Sequence, residues 1–366
     1  MHRRLLRALL VVAGIAAAVA AVGASPAGAL TITPVAGGLA NPRGMAFGPN
    51  GALYVAEAGK GGNDFCVDHA GLGPACAGMT GAITRIWRGK QERVVTQLPS
   101  IANADGAALG PNDVSPQGTG SLYIALGLGD NPAVRAMYPA WAAQSFGWLA
   151  KGNTSGNWKP VADISGFEGA NNPDAGQPGS IVDSNPYAVA ALSGEEVVAD
   201  AGGNDLLRVD RSGDTSLLAV FPARFIPFDG GLIPMDSVPV SIAVGPDGAL
   251  YVGELTGFPF PVGGANVYRV VPGQQPTVYA TGFTNIIDLD FGRDGSLYVA
   301  EISHFGLLGT DRSGGIWRVP PGGGTPQLVT TAVEAPGGLA VARDGSLYVS
   351  TCADCSDTGG VVRIVP

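Results

Sequence analysis

Charged residues are scarce in this chain: Asp, Glu, Lys and Arg make up 14% of its 366 positions, against roughly a quarter in an average domain. Only 21 of them are basic against 30 acidic, and no basic run stands out, which argues against nucleic acid as a partner. Beyond residue 29 no apolar run is long enough to span a membrane. Neither a Gly-x-Ser-x-Gly elbow nor a His-Glu-x-x-His helix occurs, which counts against serine hydrolase and metalloprotease chemistry. Abundant instead are Gly, at 57, and Pro, at 28, residues that interrupt long helices and so exclude a helical bundle. With 46% hydrophobic residues the chain can still bury a core.

Residues 1–29 have the three parts of a secretory signal peptide: Arg3, Arg4 and Arg7, an apolar run from Leu5 to Val22, and Ala27-Gly28-Ala29 before the cut. Cleavage takes three positive charges from a formal net charge of −9, leaving −12. An acidic surface of this kind favours solubility, and cations or neutral polyols over phosphates. The expectation is a secreted, extracellular monomer, free of the membrane, in which residues 30–366 form one domain.

A repeat dictates the architecture. The stretch from Asn41 to Glu57 returns as Pro239 to Glu254, Asn285 to Glu301 and Pro336 to Ser350, with degenerate copies ending at Ala125 and Asp200. Each unit reads as a strand, a turn on Asp-Gly or Asn-Gly, and a strand rich in Tyr and Val. The turn glycines are Gly51, Gly120, Gly194, Gly248, Gly295 and Gly345. A third strand carries a basic residue (Arg85, Lys151, Arg208, Arg269, Arg318 or Arg363), and apolar pairs such as Val94-Val95 mark a fourth. Six four-stranded units predict an all-β, six-bladed, NHL-like β-propeller. The last unit lacks a fourth strand, so the orphan strand from Thr31 to Ala36 is expected to complete it and close the ring.

Between the strands, Glu57 to Gly62, Cys66, Cys76, Thr80 to Ile86, Gly110 to Val114, Ala199 to Arg208, Gly253 to Pro261 and Thr281 to Ile287 resemble the ScyD/ScyE family of secreted bacterial propellers. The resemblance spans nearly all of the mature chain. It implies the propeller fold and export, and supplies no catalytic residue or ligand.

Candidate chemistry gathers where loops meet the channel mouth. Asn41, Asn112, Asp113, Asn185, Asn285 and Asp288 lie at or near first-strand starts, and Glu57, Asp200, Glu254 and Glu301 end second strands. Converging carboxylates and amides suit a hard cation such as Ca2+; the same residues also serve as turn formers and ion-pair partners. His304, three residues from Glu301, is the candidate general base, and His69 is the other loop histidine. Cys66 with Cys76 and Cys352 with Cys355 are the expected disulfides, with cross-bridges between the first and last blades or a zinc site as alternatives. Phe258 and Phe260 could line a pocket for an apolar or aromatic ligand. The expected function is a binding or accessory module for a small-molecule or protein ligand; the alternative is a metal-dependent lactonase or a sugar dehydrogenase working at the mouth.

Overall fold

The repeat's turn fixes its hairpin. In a computed structural model, which describes residues 30–366, Gly51, Gly248, Gly295 and Gly345 all hold φ between 78° and 85°, a region that only glycine enters without strain. The preceding Asn or Asp accepts a backbone N–H two residues on: Asn50 Oδ1 from Ala52, Asp294 Oδ1 from Ser296 and Asp344 Oδ1 from Ser346, each at 3.0 Å. The other Asp oxygen then meets the third-strand arginine, as in Asp247 with Arg269 and Asp344 with Arg363. Those arginines lie directly opposite the repeat's tyrosines, Tyr251 and Tyr348.

Six sheets of this kind make a six-bladed β-propeller. Blade 1 runs through Pro42–Phe47, Leu53–Glu57, Gly73–Trp87 and Lys90–Asn103. Blade 2 is Pro111–Gln117, Ser121–Leu126, Trp148–Asn153 and Trp158–Asp163. Blade 3 is Pro186–Ala191, Glu195–Asp200, Asp205–Asp210 and Thr215–Val220. Blade 4 is Pro239–Val244, Leu250–Glu254, Ala265–Val270 and Thr277–Phe283. Blade 5 is Ile286–Phe291, Leu297–Glu301, Gly315–Val319 and Gln327–Thr330. In blade 6, Gly338–Val341, Leu347–Thr351 and Gly359–Val365 are joined by Thr31–Leu39, which pairs antiparallel with Gly359–Val365. The expected signal peptide lies outside the described residues.

The core consists of apolar layers between neighbouring blades. Phe283, Ile286 and Val299 fill the space between blades 4 and 5, and Leu39, Met45, Val55 and Ala340 that between blades 6 and 1. Buried apolar area of this kind contributes about 25 cal/mol per Å2. Among the features that depart from the repeat are the helix Ile164–Asn171 after blade 2, the hairpin Arg224–Phe228 with Gly231–Met235 before blade 4, and the short strand Phe65–His69. That last strand corrects the loop placement expected of His69. Cys66 faces Cys76 across it and the two are disulfide-bonded, as are Cys352 and Cys355. Among the described residues no helix is long and apolar enough to cross a membrane.

Candidate functional site

The acids that end second strands occupy one position of the repeat, and each clasps the loop that enters its own blade. Glu57 Oε2 accepts the Ala40 N–H at 2.8 Å and Arg93 Nη2 at 2.7 Å, and Oε1 accepts from Thr84 Oγ1 and Arg93 Nε at 2.5 and 2.9 Å. Glu254 takes Ser237 Oγ at 2.7 Å, the Asn266 N–H at 2.8 Å and Arg224 Nη2 at 2.6 Å. Glu301 takes the Thr284 N–H and His304 Nδ1, both at 2.6 Å. Burial raises the Glu254 and Glu301 carboxyls, and their partners pull them back. These three carboxylates therefore do not converge on a shared position at the mouth. His304 packs on Trp317 of the third strand, its centroid 5.7 Å away, one strand outward from Glu301. His69 is buried and satisfied: Nε2–H donates to the Leu128 carbonyl at 2.8 Å and Nδ1 accepts the Gly71 N–H at 3.1 Å.

The first-strand residues divide into two groups. Asn41 and Asn285 adopt positive φ and tie loops together, Asn41 donating to the carbonyls of Gly59 and Gly106 and Asn285 to that of Leu255. Asn112 donates to the Pro186 carbonyl and, at 3.3 Å, to Asn185 Oδ1. Asp113 and Asp288 line the channel and staple neighbouring blades: Asp113 Oδ2 accepts the Val189 N–H at 2.9 Å, and Asp288 Oδ2 that of Leu339 at 2.7 Å. Asp290, which sequence reasoning missed, repeats the staple on Val341 at 2.8 Å. Alternating Asp-x-Asp on a first strand was its signal.

The open acidic site lies between blades 3 and 4. A pocket of about 190 Å3 is lined there by Asp183, Asn185, Asn204 and Asp236. Burial raises the Asp183 and Asp236 carboxyls, and neighbouring acids raise them further. Beside it the hairpin that leads into Asp236 carries exposed Phe225 and Leu232, and Phe228 meets Phe258 with ring centroids 5.0 Å apart. Phe258 is 51% exposed, while Phe260 packs behind it. The Gly257 N–H donates to the Asp236 carbonyl, fixing this aromatic edge to the pocket. Behind the pocket stands Asp200 with three acids that the sequence analysis missed: Glu168, pushed up to about 8 by burial and then by Asp200, Asp174 and Asp183; Asp174; and Asp205, raised well above the carboxylate range. Burial also pushes Asp200 up to about 6. A surface cleft of about 710 Å3 lies between blades 2 and 3, lined by Lys151, Lys159, Arg211 and Glu196.

No protein-family model matches the chain, and no curated protein sequence matches it. Its fold does match solved structures. A putative oxidoreductase (glucose dehydrogenase) from Thermus thermophilus superposes with a TM-score of 0.53 at 17% identity, covering 92% of this chain and 100% of that one. A calcium-binding protein, regucalcin, from Agrobacterium tumefaciens gives 0.50 at 12% identity, over 91% and 92%. A luciferin-regenerating enzyme gives 0.52 at 9% identity, over 92% and 95%. At these identities the likeness is one of fold.

Proposed function

We propose that the chain is an exported propeller of the ScyD/ScyE type, with residues 30–366 as one domain, that binds a ligand at the channel mouth between blades 3 and 4. The observation that carries this reading is the acidic pocket of Asp183 and Asp236 bordered by the Phe228 and Phe258 edge. A carboxylate pair beside exposed aromatic rings suits a ligand that is apolar or aromatic at one end and cationic at the other. Export is supported by the arginine-led apolar run of residues 1–29 and by two disulfides, which persist in oxidising compartments. The enzymatic alternative, lactonase or sugar dehydrogenase, has less support. Glu57 and Glu254 are held by Arg93 and Arg224, and Glu301 by His304, so their oxygens are committed to the protein.

Titration with an arylalkylammonium ion, alongside its neutral and carboxylate analogues, tests the reading. Saturable binding of the cation is expected, weakened about tenfold, or 1.4 kcal/mol, by Asp236→Asn and by Phe258→Ala. Equal affinity in parent and variants, or no preference for the cation, would sink it.

A further inference from the structure

Blade 2 breaks the charge pattern that the other blades keep. In those blades the third-strand arginine is paired with an acid of its own blade: Arg85 with Glu92, Arg208 with Glu195, Arg269 with Asp247, Arg318 with Asp294 and Arg363 with Asp344, none farther than 3.1 Å. Blade 2 has Lys151 at this position, and Thr119 where blades 4, 5 and 6 carry the turn aspartate. The fourth strand deepens the imbalance. Across from the third-strand arginine stands Glu92 in blade 1 and a neutral residue elsewhere: Ser216, Thr277, Gln327 or Thr33. Across from Lys151 stands a second cation, Lys159. Like charges directly opposite on a sheet oppose pairing, so blade 2 carries an unfavourable pair that the other blades avoid.

Both lysines line the cleft of about 710 Å3 between blades 2 and 3. Lys151 is tied into its floor: Nζ donates to the Tyr123 hydroxyl at 2.9 Å and lies 4.7 Å from the centroid of that ring, and the hydroxyl also bonds Glu196 of blade 3. Tyr123 and Glu196 are 7% and 5% exposed, so this floor is set before any ligand arrives. Lys159 and Arg211 are exposed, and neither takes part in the ion pairs of the described residues. Arg211 lays its guanidinium over the turn glycine Gly194, with Nη2 3.0 Å from where a Cβ would stand. Asp210, the other acid of the lining, is engaged by its own turn through the N–H groups of Ser212 and Asp214. Three cations against two acids leave a positive excess here, on a chain whose formal net charge is −9.

We propose that this cleft binds an acidic saccharide, its carboxylate held by Lys159 and Arg211 and its hydroxyls by the polar floor. The guanidinium offers a planar pair of donors that matches a carboxylate, and Lys159 adds a second positive charge. Glu196 accepts from hydroxyls and repels a second negative charge, so a sugar acid fits where a phosphate dianion does not. The volume lies within the roughly 300–1,000 Å3 of small-molecule sites. The cleft is at the turn end of blades 2 and 3, beside Gly194, and needs neither Asp236 nor Phe258, so it stands apart from the ligand reading at the mouth.

Calorimetric titration with glucuronosyl-glucose, alongside cellobiose and inorganic phosphate, tests the proposal. Cellobiose has nearly the same shape and lacks the carboxylate. Saturable binding of the acid is expected, about tenfold tighter than that of cellobiose or phosphate, and weakened about tenfold by Arg211→Ala. Lys159→Glu should abolish it and, because it places an acid across from Lys151 as Glu92 stands across from Arg85, should melt no lower than the parent. Asp236→Asn should leave this binding unchanged. Equal affinity for cellobiose or phosphate, no saturable binding of the acid, or binding that survives Lys159→Glu would overturn the proposal.

Discussion

Glu57 shows what a single side chain does at the repeat's acid position. Its carboxylate is 1% exposed and joins the entering loop, the third strand and the fourth strand through Ala40, Thr84 and Arg93. Removing one partner of a buried pair strands the other charge, which costs about 3–5 kcal/mol when both are enclosed. Arg93 is half-exposed, so water still screens part of the loss. Arg93→Ala should therefore lower stability by about 2–3 kcal/mol in urea unfolding, while binding of the arylalkylammonium ion stays unchanged. A loss of binding with stability intact would instead place Glu57 among the ligand-contacting groups. His304 is read in the same way: its contacts are those of a brace to Glu301.

At the scale of strands and blades, the repeat carried most of the fold. Asp-Gly turns, tyrosine-rich second strands and arginine-bearing third strands are short-range signals, and each appears where its spacing placed it. Packing between blades is not written in the repeat. Gly253 stands where blades 1 and 5 have Ala56 and Ala300, and restoring the alanine looks harmless on paper. A Cβ there would lie 2.6 Å from Ile286 Cγ2 of the next blade and 2.7 Å from Ser241 Oγ. Gly253→Ala should cost about 1–3 kcal/mol in denaturant unfolding; a neutral or stabilising result would show that the layer between blades 4 and 5 yields easily. The candidate site was less legible for a related reason. Asp200 belongs to the repeat and was found, whereas Glu168 arrives on an inserted helix and Asp236 at the end of an inserted hairpin. Asp205 was visible only as a departure, an acid across from Asp200 where blades 1 and 5 have Ala82 and Gly315.

For the molecule as a whole, buried carboxyls set the response to pH, in the channel as well as in blade 3. Burial pushes Asp113 and Asp290 up to about 6, and burial with the Asp113 carboxylate pushes Asp288 well above the usual range. Asp113 and Asp288 also share their stretch of channel with Arg43 and Tyr187. An acid that holds its proton more tightly when folded makes folding take up protons, so stability rises as pH falls from about 7 towards 4. The surface acids work in the opposite sense: Asp294 and Asp344 sit below the usual range through turn hydrogen bonds and their arginines. Their contribution is present above the ordinary carboxylate value and is lost below about 4. The melting temperature should thus peak on the acid side of neutrality, between about pH 4 and 6. Asp290→Asn isolates one channel group. It keeps an acceptor for one of the two backbone N–H groups, Phe291 and Val341, that Asp290 now serves. It also removes a titrating carboxyl, so its melting temperature should change less between pH 7 and pH 5 than the parent's. An equal change in parent and variant would mean that the channel carboxylates ionise as exposed acids do, and that the pH response arises elsewhere.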